Sequence, residues 1–136
     1  MDLAPLVEDL KAAEKALREN LAEYPEEPLF ISMDGILSAL KGEPERAFDC
    51  AKRVCESSRS FGHTHHTLYQ VACVYAITGR HEQALAWLER AVATGFRCWP
   101  FFQVDPCLSN LRGLAEFENY VAGIEAECRQ VPISRG

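Results

Sequence analysis

Gly42-Glu43-Pro44-Glu45-Arg46-Ala47-Phe48 and Gly79-Arg80-His81-Glu82-Gln83-Ala84-Leu85 follow one pattern, G-x-x-E-x-A and then an apolar residue, and lie 37 residues apart. The match extends outward in the same register. Upstream, Leu37-Ser38-Ala39-Leu40 pairs with Val74-Tyr75-Ala76-Ile77; downstream, Ala51, Val54 and Cys55 pair with Leu88, Ala91 and Val92. Self-similarity at such a period marks a repeated supersecondary unit. In the second unit Leu68, Val71, Ala72 and Tyr75 fall at i, i+3, i+4 and i+7, one stripe of a helix. After the turn, Ala84, Leu85, Leu88, Ala91 and Val92 form a second stripe. Gly42 and Gly79 each follow the last periodic residue of a first helix, where positive φ costs a glycine little. Pro44 stands at the start of the next helix, where its missing N–H is not needed. Each unit is therefore read as two helices joined by a glycine turn.

The flanks are helical too. Residues 6–23 form an amphipathic stretch with Leu6, Leu10, Ala13, Leu17 and Leu21 on one face. Beyond Gly95 comes the aromatic run Phe96-Arg97-Cys98-Trp99-Pro100-Phe101-Phe102. Asp105-Pro106 then predicts an N-cap and N1 proline opening a short helix that ends at Gly113. A last helix runs to about Gln130, with Phe117, Tyr120, Val121 and Ile124 on its face. The predicted fold is all-α: one domain over residues 1–136, with about seven helices including end caps. Its parts are an N-terminal capping helix or half-repeat (1–27), a first helix pair (28–64), a second pair (65–98) and C-terminal capping helices (99–136). Two pairs bury too little by themselves, so the flanking helices must complete the core, with Trp99, Phe101 and Phe102 as seals.

These residues resemble the tetratricopeptide repeat family. There a large residue, a small residue and an aromatic mark the first helix, and alanines mark the second. The second unit supplies Leu68, Val71, Ala72 and Tyr75, then Gly79, Ala84, Leu88 and Ala91. The first supplies Gly35, Gly42, Ala47 and Val54, but departs from the pattern at Asp34 and Ser38, where the family has bulk. The proline that often ends a unit is missing after both. The period also exceeds the family's usual length of about 34 residues, which implies a longer connection around residues 57–63. The string from Gly95-Phe96 through Asp105-Pro106, Leu108, Leu111-Arg112 and Phe117 is similar to the tail closing such arrays in many bacterial regulatory proteins. The resemblance covers residues 28–129. It implies an α-α superhelix whose first helices line a concave face, with Leu29, Ser32, Met33 and Ile36 from the first unit. The second unit would add His66, Tyr69, Gln70 and Cys73. That surface lacks the Lys/Asn pair with which some family members clamp the acidic C-terminus of a chaperone. An apolar groove of this kind suits an amphipathic helix or an apolar extended segment.

Composition and chemistry point the same way. Apolar residues make up 48% of the chain and charged residues 25%, with a formal charge of -6. An acidic surface repels a phosphate backbone, so no nucleic-acid partner is expected, and Lys52, Arg53 and Arg59 read as a solvated helix end. Glu8, Asp9, Lys11, Glu14, Lys15 and Arg18 interrupt any signal peptide. No run reaches the roughly 18 apolar residues a membrane span requires. A cytoplasmic location is expected, with no membrane partner.

His63-Thr64-His65-His66 could offer His63 and His66 at i, i+3 to zinc, copper or nickel. Such a site needs a further ligand, and Thr64 as N-cap would leave His63 outside the helix, so the histidines read as solvent-exposed. Cys50, Cys55, Cys73, Cys98, Cys107 and Cys128 contain no C-x-x-C and read mostly as small buried hydrophobes, with Cys50, Cys55 and Cys73 at apolar or half-apolar helix positions. Cys73 lies two turns beyond His66, too far for direct contact. Asp34 falls where packing is expected; either a hydrogen bond to Ser38 one turn on or a local slip of the register would accommodate it, and a catalytic role would need a second polar partner that the sequence does not offer. No glycine-rich phosphate loop, nucleophile elbow or His-x-x-x-His pair is present. The sequence thus predicts no catalytic residue, no cofactor and no metal site. It predicts a protein-protein interaction scaffold taking a peptide or helix segment of a partner protein. The rival readings are a self-associating, homo-oligomeric structural domain and a metal- or redox-responsive protein using the His63–His66 cluster or the cysteines.

Overall fold

The structure, a computed structural model, describes residues 4–57 and 64–130. Two glycine turns organise its centre. Helix α2 (Pro28–Leu40) starts on a proline and stops at Gly42, which takes φ 78°. The turn is closed by Gly42 N–H donating to the Ala39 carbonyl (3.1 Å) and Glu43 N–H donating to the Ser38 carbonyl (2.9 Å). These bonds satisfy carbonyls the helix end would otherwise strand. Helix α3 (Pro44–Ser57) then runs back along α2. The second pair repeats the device. Helix α4 (Thr64–Ile77) ends at Gly79, φ 83°, with Gly79 N–H on Ala76 (3.2 Å) and Arg80 N–H on Tyr75 (2.8 Å), and α5 (His81–Ala93) returns along α4.

Burial follows the sequence register. Ala47 and Ala84 are both fully buried, as are Val54 and Ala91, while Ala51 and Leu88 are at 1% and 0% exposure. At Gly35 an added Cβ would stand 3.1 Å from Cys50 Cβ and 3.2 Å from Val74 Cγ2, so α2 lies against both α3 and α4 there. Its counterpart Ala72 is also fully buried. Small residues at the matched positions let the helices approach closely.

Before these pairs comes α1 (Ala4–Glu23), which packs on α2; after them come α6 (Trp99–Phe102), a 3-10 turn (Pro106–Leu108) and α7 (Ala115–Gln130). The described residues thus hold seven α-helices and no strand, the expected all-α fold. The short helix expected from Asp105 to Gly113 is reduced to the 3-10 turn: Asp105 caps it as expected, its Oδ1 accepting from Cys107 N–H at 2.9 Å, but the backbone bonds that follow reach three residues and not four, from Leu108 N–H to the Asp105 carbonyl (3.0 Å), Ser109 to Pro106 (3.1 Å) and Leu111 to Leu108 (2.9 Å). One apolar cluster joins α4, α5 and the C-terminal elements, a second joins α2, α3 and α4, and Ile36, Tyr75 and Trp87 pack against both. No helix among the described residues is long and apolar enough to cross a membrane.

Candidate binding groove

The apolar face of α1 is only partly used in packing. Leu17 is buried and Leu21 half-buried against the core, whereas Leu10 is 39% exposed. Leu10, Ala13 and the inner Leu17 form one wall of a groove, and Met33, Ile36, Leu37 and Leu40 of α2 form the other. Gln70 of α4 is the polar side chain among the lining residues. The groove holds about 290 Å³. Met33 and Leu40 keep 41% and 53% of their surface in solvent, and Leu29, one turn before Met33, keeps 37%. A row of exposed apolar side chains beside an apolar cleft is the surface feature that marks association sites.

Of the eight residues expected on the concave face, seven divide between this groove and the interior, and His66 falls in neither. Met33, Ile36 and Gln70 line the groove and Leu29 stands exposed beside it. Ser32 is buried; its hydroxyl lies 2.8 Å from the Leu29 carbonyl and donates to Gln70 Oε1, tying α2 to α4. Tyr69 and Cys73, expected on an open surface, are core residues at 5% and 1% exposure. The cause is the chain's own aromatic tail. Tyr69 stacks on Phe102 (centroids 5.6 Å, 18° between planes) and meets Phe96 at 4.7 Å and Phe101 at 5.9 Å. His66 remains exposed and sets its ring against Phe96 at 5.1 Å. The tail therefore covers the second unit's share of the expected face, and the open surface lies over the first. Of the aromatics expected as seals, Phe102 is fully buried and Trp99 half-buried, whereas Phe101 keeps 42% of its surface in solvent; the face they cover was not legible.

Asp34 is satisfied across helices and not by Ser38. Arg18 of α1 donates to its Oδ1 at 3.0 Å, Arg46 of α3 to its Oδ2 at 3.3 Å, and the Cys50 thiol to Oδ2 at 3.7 Å. The nearby carboxylate holds the Arg46 guanidinium above its ordinary value. Burial, with Asp34 beside it, pushes the Cys50 thiol up from 9.0 to about 11. At the other end of the groove wall Lys41 donates to Glu14 at 3.0 Å, which lowers the Glu14 carboxyl.

Under the tail, Tyr69 donates its hydroxyl proton to Asp105 Oδ2. Burial, then the neighbouring Cys73 and Asp105, drive the Tyr69 hydroxyl far above its usual range, so it stays protonated. The hydrogen bond between the Cys73 and Cys107 thiols, the largest influence on both, raises Cys73 and lowers Cys107, with Cys73 as donor. Cys50 and Cys73 are buried, Cys55 and Cys107 half-buried, and Cys98 and Cys128 exposed. His63 lies outside the described residues; α4 begins at Thr64, so His66 stands in its first turn. Set beside protein-family models, curated proteins and solved structures, the chain matches none of them.

Proposed function

We propose that this chain is a non-catalytic, tetratricopeptide-like interaction module of the cytoplasm, and that the groove between α1 and α2 receives one apolar face of an amphipathic helix from a partner protein. One observation carries the reading: exposed Leu10, Met33 and Leu40 flank an apolar cleft beside Gln70. An amphipathic helix presents anchors at i, i+3, i+4 and i+7, which such a cleft can accept. The family assignment rests on the 37-residue register and on the two matching glycine turns. The second reading, a homo-oligomeric domain, draws on the same exposed side chains together with Tyr24, 53% exposed.

Peptides selected from a displayed library of amphipathic helices provide the test. Met33→Glu places a charge in the cleft and should weaken the selected peptides at least ~10-fold, since loss of a central anchor commonly costs ~1–4 kcal/mol. Glu89→Lys, on the exposed face of α5, should leave affinity within about twofold. Equal loss in both variants, or loss only in Glu89→Lys, would remove the groove assignment. A dimer by light scattering that Met33→Glu dissociates would favour the second reading.

A further inference from the structure

We propose that Cys73, Asp105 and Cys107 form a binding site for a thiophilic divalent cation, with zinc as the ion that best fits its donors. The proposal is independent of the groove and draws on residues that no short motif connects. Among the described residues these three alone form a cluster of His, Cys, Asp or Glu able to hold a metal, and their ligand atoms all lie within 4.8 Å of one another. Two sulfurs and one carboxylate oxygen are the donors a borderline-soft, tetrahedral ion takes. Bonds of roughly 2.0–2.3 Å set such donors within about 4 Å of one another. The three therefore need to close by no more than roughly an ångström.

The fold positions each donor from a different constraint. Cys73 sits on α4, one turn after Tyr69. Asp105 and Cys107 flank Pro106 at the 3-10 turn, and Asp105 Oδ1 is held by the Cys107 N–H at 2.9 Å. Tyr69 donates to the other oxygen of the same carboxylate. Metal-binding carboxylates are typically fixed by such outer hydrogen bonds, which leave further lone pairs for the ion.

Charge supplies the second observation. Among the described residues two carboxylates are buried, and they are treated differently: Asp34 carries two guanidiniums, whereas Asp105 joins no ion pair there. Its partners there are neutral donors, in an apolar setting that includes Phe102 and Leu108. A dication would supply the missing counter-charge and favour ionising both thiols. Binding releases both thiol protons to solvent and forms two metal–sulfur bonds, with no change of oxidation state. Cys107 is half-buried, and a water would complete the tetrahedron as fourth ligand.

Cobalt(II) is the probe, added to the untagged full chain under a phosphine reductant. The expected result is a thiolate-to-cobalt charge-transfer absorption that saturates at one equivalent and is abolished by zinc. Histidine-bound cobalt lacks that absorption, which separates this site from His63, His65 and His66. Cys107→Ser, with helical circular dichroism as its fold control, should weaken binding at least ~100-fold. Tyr69→Phe, which keeps all three ligands and removes the hydroxyl that bonds Asp105, should weaken it ~10-fold. The double variant Cys98→Ser/Cys128→Ser should bind as the parent does. Absence of the absorption in the reduced parent overturns the proposal. So does an absorption that survives Cys107→Ser, or a chain that binds no cobalt and instead forms a Cys73–Cys107 disulfide with hydrogen peroxide.

Discussion

Asp34 and Cys50 show how one buried polar contact spans several helices. Asp34 takes donors from α1 and α3 at once, and its guanidinium partners stay 40% and 50% exposed, so the cluster is anchored in the core and opens to water. Cys50 contributes a pH signature. Its thiol ionises at about 11 in the fold instead of 9.0. A raised folded value means the contribution is fully present below pH 9 and is lost as pH rises from there towards about 11. The loss should be on the order of 1–2 kcal/mol, and Cys50→Ala should flatten that part of the curve. Urea midpoints of both proteins between pH 8 and about 11 measure it; parallel curves would show that Cys50 plays no part. Asp34 was legible in the sequence as a polar residue at a packing position. Its partners were not, because Arg18 and Arg46 lie 16 and 12 residues away and come from other helices. Spacing along one helix names only neighbours three or four residues off.

At the scale of elements, the paired helices were the legible part. A residue conserved in type at a fixed offset, with a glycine after each first helix, specifies both the turn and the buried face. Ala47 and Ala84 show it, each fully buried in the first turns of its helix. Ala84→Leu should therefore cost about 1–3 kcal/mol through overpacking between α4 and α5. The same change at Ala86, exposed on the same helix, should cost less than ~0.5 kcal/mol. Equal denaturation midpoints for the two would show that Ala84 is not at a close crossing. The end elements were less legible, for a physical reason. An amphipathic stripe says that a face wants cover, not how much it receives: both line the groove, yet Leu17 of α1 is buried while Leu10 on the same stripe stays 39% exposed. Likewise the aromatic run after Gly95 announced a seal. Where it lands depends on the chain's direction after a glycine at φ 123°, and that placed Tyr69 and Cys73 inside.

Across the whole molecule, the two apolar clusters have no boundary between them, because Ile36, Tyr75 and Trp87 pack against both. Repeat arrays can fray one unit at a time when each unit contacts only its neighbours. Here the C-terminal tail is built into the larger cluster through fully buried Phe102, Leu108 and Leu111, and the first helix pair shares its bridging residues. Loss of the tail should therefore be felt as far as α2 and α3. Phe102→Ala removes a ring in contact with Tyr69 and Phe96, and should cost about 3–5 kcal/mol, the range for emptying a buried phenylalanine site. The cost should appear as one cooperative transition at a lower midpoint. Helical circular dichroism reports every pair, and the fluorescence of Trp87 and Trp99 reports the bridge and the tail. If the clusters unfold together, both signals in Phe102→Ala move by the same amount and stay coincident. An early fluorescence change followed by a separate loss of helix at the parent's midpoint would mean that α2 and α3 stand without the tail. The bridge through Ile36, Tyr75 and Trp87 would then be contact without coupling.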